Sequence, residues 1–312
     1  MKNYAGFILV LAWGLYSGAQ VATSNSVSLT SGSIAAPLNQ LRKVIKQEKI
    51  EDPNIITDQV LRADEGSFKR YSLKSSLSYS GPGIGDLSNK NQPNPDGVPS
   101  NNQTKITGSL SARYRIDGVS AMSLGTGLAA NHPFHGMDRT DVNSPYLSYD
   151  RSSRFDNLQL RQSFSGSYVT TPEFTNLGEV ATASYSLDSV YNLGDSRWAV
   201  GFDSSLSYFI YNRAYKLQDN HKASQYYLSF YPNLKYVISD KININTSFAY
   251  MFYNPRRIES RWNLQNRTVT QRIGMGYSFR RDVYFSPYLT IYPDNMKTAN
   301  TTFNLAATFS VL

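Results

Sequence analysis

The sequence predicts an all-β chain, folded as a transmembrane antiparallel up-and-down β-barrel of about twelve strands with a short N-terminal helical segment. Period-two alternation is the first observation behind this. In residues 104–116, Ile106, Leu110, Ala112, Tyr114 and Ile116 oppose Lys105, Thr107, Ser109, Ser111, Arg113 and Arg115, the pattern of a strand with one apolar and one wet face. Segment length is the second. The alternating stretches run to roughly ten residues, enough to cross a bilayer at a tilt, whereas strands of a soluble sandwich average about five or six. The third is that long and short connections alternate along the chain. Composition agrees, with 23 Tyr, 15 Phe and only 17% charged residues in 312. A mean hydropathy of −0.41 leaves no room for helical spans beyond the N-terminus.

Residues 1–19 read as a secretory signal peptide. Lys2 gives the positive start, 7–16 the apolar run, and Ser17, Gly18 and Ala19 the small-residue cleavage site. The absence of cysteine removes thiol catalysis and Cys-ligated metals. Residues 20–66 form a separate segment. Its first part, 21–33, is Ser/Thr-rich and reads as flexible. Pro37 then opens a helix with Leu38, Leu41 and Ile45 on one stripe, and Pro53 interrupts it. A second short helix is expected through Ile56, Val60 and Ala63, with Gly66 as its stop. The segment is expected either to plug the barrel mouth or to extend into the periplasm. The plug is preferred, because a short amphipathic helix needs a surface for its stripe.

From 67 to 312 every segment alternates. Tyr71, Leu73, Leu77 and Tyr79 form the first apolar row, and the loop 80–103 leads to the strand described above. The turn Asp117-Gly118 precedes Met122, Leu124 and Leu128, and a loop at 131–145 holds His132, His135, Asp138 and Asp141. Residues 146–155 have few apolar partners and are taken as a strand because the alternation of loop lengths requires one. Turns at 156–157, 192–196, 239–241 and 280–282 then fall on the same side as 117–118. Longer loops fall on the other. Apolar rows follow at 158–168, 181–191, 198–210, 226–238, 242–252, 269–279, 283–291 and 303–311. Trp198, Tyr208, Tyr226, Tyr236, Phe252, Tyr253, Tyr277 and Phe279 lie near strand ends, where aromatic girdles sit.

With its signal peptide, its strands over 68–312 and its last strand ending Phe303, Leu305, Ala307, Phe309, Val311 and Leu312, the chain resembles bacterial outer-membrane β-barrel proteins of porin or channel type. In that family an alternating terminal strand, often closing on an aromatic residue, is read by the assembly machinery. Here Leu312 ends the chain and Phe309 stands three positions earlier. The resemblance implies a Gram-negative outer membrane, contacts with its lipids and lipopolysaccharide, and a monomer. It fixes no substrate.

The rows opposite the apolar ones are expected to line a lumen. Basic candidates are Arg70, Lys74, Lys105, Arg113, Arg115, Arg161, Lys235 and Arg272; the acidic ones are Asp188 and Asp203. Tyr231 and Tyr288 share those rows and could stack on sugars. Excess basic charge in a lumen favours anions. The expected function is passive or facilitated passage of small, mildly anion- or sugar-preferring solutes. Two alternatives stay open. The basic residues could pair with Asp188, Asp203, loop acids or the N-terminal segment and fill the interior. The barrel could also be a structural or surface-interaction protein with a blocked lumen, its outer loops binding external partners. No catalytic motif, cofactor or nucleic-acid site is expected. His132-x-x-His135 with Asp138 and Asp141 has divalent-metal ligand types, but in a loop its plain reading is a solvated surface.

Overall fold

A computed structural model describes residues 55–95, 102–137, 139–212, 223–255 and 264–311. The signal peptide, the helix expected after Pro37 and Asp138 lie outside them. The strands are β1 (Tyr71–Gly83), β2 (Lys105–Arg115), β3 (Ser120–Asn131), β4 (Arg139–Phe155), β5 (Leu158–Tyr168), β6 (Glu179–Asn192) and β7 (Trp198–Tyr211). They continue with β8 (Ser224–Val237), β9 (Ile242–Pro255), β10 (Gln265–Asn266), β11 (Thr270–Arg280), β12 (Val283–Ile291) and β13 (Thr302–Val311). Each pairs antiparallel with its neighbour in a single sheet. Because β1 pairs both β2 and β13, and β9 pairs both β8 and β11, the sheet closes and keeps no free edge. Twelve strands form the ring, and the two-residue β10 only extends the pairing of β9.

Exposure assigns the faces. Leu73, Leu110, Leu124, Leu147, Phe164, Leu206, Ile244, Met275 and Phe303 are all exposed on the outside, while Ser72, Ser111, Arg113, Ser148, Ser229 and Asn304 are buried within. An apolar exterior around a polar interior inverts a soluble protein and suits a barrel whose outer solvent is lipid. At the short-turn end the exterior carries aromatic pairs. Trp198 and Tyr236 lie 4.8 Å apart, Tyr71 and Tyr114 5.4 Å, and Tyr277 and Phe279 4.4 Å.

The tight connections have local causes. The Asp117 carboxylate accepts the Val119 and Ser120 N–H groups at 2.8 and 2.6 Å and pins the β2–β3 turn. Asp156 at φ 54 and Gly194 at φ 57 take the left-handed conformation that two-residue and bulged hairpins require. On the inner wall Gly276 faces the Tyr284 hydroxyl and Gly274 faces the Tyr288 Cβ, so a side chain at either glycine would displace a tyrosine.

β4 corrects the sequence reading. It begins at Arg139, so the loop expected through residue 145 ends seven residues earlier. A β-bulge explains the difference. The β3–β4 register slips between Gly125 and Gly127, with Ser144 at φ 25. Before the bulge the odd residues Asp141 and Asn143 face in; after it the even residues Tyr146, Ser148 and Asp150 do. The parity change destroys any period-two signal read across 139–155.

Helix α1 (Gln59–Glu65) precedes the barrel strands. Asp58 caps it by accepting the Val60 and Leu61 N–H groups, and Gly66 ends it at φ 72, where the Arg62 carbonyl accepts its N–H at 3.0 Å. Seven residues do not hold a helix in water by themselves. Tertiary contact does: Ile56 and Leu61 are buried with Val190 of β6 and Ala199 of β7, apolar residues on otherwise polar inward rows.

Candidate functional site: the lumen and helix α1

The inward rows bring nearly all of the sequence-predicted residues to one lumen, at two levels. At the short-turn end they meet α1. The Lys235 ammonium bonds the Asp58 carboxylate, both groups almost fully buried. Lys74 Nζ donates to the Asp64 carbonyl at 2.6 Å and lies 3.7 Å from its carboxylate. Glu65 takes Arg281 at 2.7 Å on one oxygen and Arg115 at 3.4 Å on the other. All three acidic side chains of the described residues 55–66 therefore pair with a cation of the wall.

Neutral bonds complete the dock. Gln159, with no exposed surface, accepts the Thr57 and Asp58 N–H groups at 2.8 and 2.9 Å and donates to Thr57 Oγ1 at 3.0 Å. Gln59 donates to the Ser239 carbonyl at 3.0 Å and accepts from the Asn243 amide. Arg62 donates to Ser278 Oγ at 3.1 Å. Phe68 lies beneath the guanidinium groups of Arg281 and Arg115, at 3.7 and 4.9 Å from ring to carbon. Arg113, 5% exposed, has no partner for Nε and Nη1 among the described residues. Its Nη1 lies only 2.8 Å from where a Cβ on Gly66 would stand, so that glycine is needed for both space and conformation.

Above α1 lies a cavity of about 450 Å³, walled by serines and by Asp64, Lys74, Asp150 and Arg161. Arg161 is held by Asp150 at 2.7 Å and Asp188 at 3.1 Å. Asp203, on the adjoining wall, accepts the Asn233 amide at 3.1 Å. At the long-loop end a second cavity of about 600 Å³ is lined by Lys105, Arg267, Arg272, Tyr288, Asp141 and many amides and hydroxyls. The Arg272 guanidinium there lies 5.2 Å from the Tyr231 ring centre and 5.5 Å from that of Tyr288.

Arg70 is the correction among the predicted lumen residues. It precedes β1, is exposed, and donates to the outward-facing Tyr114 hydroxyl at 2.7 Å while its guanidinium covers that ring. Parity holds only inside a strand, and Arg70 stands one residue before it. Sequence reasoning also missed the acids that matter. Asp58, Asp64 and Glu65 stand in a short helix whose partners are far along the chain, and Asp150 is on the bulged β4. A signal existed in Val190 and Ala199, apolar residues on the lumen rows that mark where a helix docks. His135 Nε2 contacts the Leu87 carbonyl at 3.0 Å and His132 is buried at φ 52. Among the described residues no group of three or more His, Cys, Asp or Glu could hold a metal ion.

No protein-family model and no curated protein matches the sequence. Solved structures similar to the chain include outer-membrane channels and porins. One is an outer-membrane channel from Pseudomonas putida F1, at 10% identity and a TM-score of 0.49, covering 80% of this chain and 98% of that one. Another is OmpF of Salmonella typhi in complex with daunomycin, at 8% identity and 0.39, covering 83% and 100%. A third is the KdgM porin, at 9% identity and 0.41, covering 77% and 99%.

Proposed function

We propose that the chain is an outer-membrane channel for small hydrophilic solutes, held closed at its short-turn mouth by α1. The observation that carries this reading is the polar lumen, with cavities at two levels walled by hydroxyls, amides and charges. A barrel serving only as a scaffold has no need to keep such space wet. The short turns face the periplasm and the long loops face outward, as in bacterial outer-membrane barrels. The partners of this reading are outer-membrane lipids, lipopolysaccharide and the assembly machinery that reads β13, and the working unit is a monomer.

Passage requires α1 to leave the mouth. Its departure withdraws Asp58, Asp64 and Glu65 from Lys235, Lys74, Arg115 and Arg281. The mouth then turns basic, and the open state prefers anions. Salt weakens the dock at its partly exposed rim first, because screening acts most on solvated charges. Proteoliposomes holding the full chain should therefore admit small sugars slowly in dilute buffer and faster as ionic strength rises. Vesicles that stay as tight as empty ones at every salt concentration contradict the reading.

The packing of α1 in the mouth also favours a second reading, a permanently blocked barrel whose loops bind external partners. That barrel would never swell vesicles, and trimming loop 84–104 would abolish its surface binding.

A further inference from the structure

Charge balance differs between the two levels of the lumen. At the inner level Lys74, Arg115, Arg161, Lys235 and Arg281 each stand against a carboxylate, while Arg62 bonds a serine and Arg113 pairs with none among the described residues. Among the described residues of the outer cavity Asp141 is the acidic one, and its carboxylate is already bonded by Arg139 at 2.7 Å. Arg272 and Lys105 line that cavity with no carboxylate in ion-pair range among the described residues. Arg272 Nε is buried there without a hydrogen-bond partner.

Arg272 is nonetheless held in place. The Tyr231 and Tyr288 rings fix its guanidinium, and a cation between aromatic faces keeps its N–H edge for a further acceptor. The same cavity wall offers Thr107, Thr290, Asn131 and Gln92, groups that both donate and accept, as a polyhydroxylated molecule requires. About 600 Å³ is far more than a bare anion fills and falls within the ordinary range of small-ligand sites.

From this we infer that the outer cavity is a binding site for a small sugar acid. Its carboxylate lies on Arg272, Lys105 adds a second positive charge to the same cavity, and its hydroxyls meet the amide and hydroxyl wall. The inference deepens the channel reading, on which it rests for the solute's onward path.

The test is equilibrium binding by titration calorimetry on the detergent-solubilised full chain, with D-glucuronate, D-glucose and acetate as probes. Glucuronate should bind saturably, and both glucose and acetate about tenfold or more weakly, each lacking one half of the recognition. Arg272→Gln should weaken glucuronate by about tenfold, Lys105→Gln should weaken it less, and both should leave glucose unchanged. The heat-modifiable gel shift of a folded barrel confirms that both variants fold. Equal affinity for glucuronate and glucose, equal affinity for glucuronate and acetate, or full affinity in Arg272→Gln would each overturn the site. Protein that binds glucuronate but never passes solute would leave the site standing and refute the channel. Protein that passes solute without binding glucuronate would do the reverse.

Discussion

The pair formed by Lys235 and Asp58 is among the most deeply buried contacts that hold α1 to the wall. Both side chains are almost fully buried, and the same carboxylate caps the helix. Removing one member of a buried ion pair leaves the other without compensation and costs about 3–5 kcal/mol, far more than the intact pair contributes. Lys235→Met should therefore release α1, seen as faster hydrogen exchange over residues 55–66 with the barrel strands still protected. Adding Asp58→Asn, which removes the stranded charge but keeps a cap acceptor, should restore much of the protection. Unchanged exchange in Lys235→Met would show that the helix is held by its other contacts. The sequence placed Lys235 on the correct row by parity alone. It could not supply the partner, because Asp58 lies 177 positions away and no local pattern links them.

Among the elements, the hairpins were the most legible, because turn chemistry is local and each strand repeats its pattern several times. The β2–β3 turn shows how local it is. Burial alone raises the Asp117 carboxyl, but the Val119 and Ser120 N–H groups outweigh it and hold its pKa below the ordinary carboxylate value. A group depressed in the folded state stabilises fully above its unfolded pKa, about 3.9, and loses that contribution as pH falls through the lower folded value. Asp117→Ala should thus lower resistance to urea at pH 7, and the gap to the parent should close as the pH falls through the unfolded carboxylate value and on through the lower folded one. A gap that stays constant with pH would mean the charge plays no part. β4 was less legible, since its bulge reverses which residues face in, and a reading that assumes one parity sees only half of such a strand. For α1, the stop glycine was visible but the Asp58 cap was not, and its dock rests on residues from β5, β8, β9 and β11 that only closure of the barrel brings together.

For the barrel as a whole, the decisive property is which solvent each face meets. Leu124, 64% exposed in the middle of β3, should behave as a lipid-facing residue. Leu124→Arg is expected to cost about 2–4 kcal/mol in urea unfolding from lipid vesicles, the penalty of a cation near the bilayer midplane. A neutral outcome would place that face in water. The central claim, that the lumen conducts and α1 closes it, is tested by locking α1 in place. Because the chain has no cysteine, Gln59→Cys with Asn243→Cys introduces just two thiols at a contact between α1 and β9. A short reducible bridge between them, studied in planar bilayers, separates the possibilities. The bridged protein should carry no current at any salt concentration, and cleaving the bridge should yield openings that become more frequent as salt rises. Equal currents in both states, or none in either, would contradict the account.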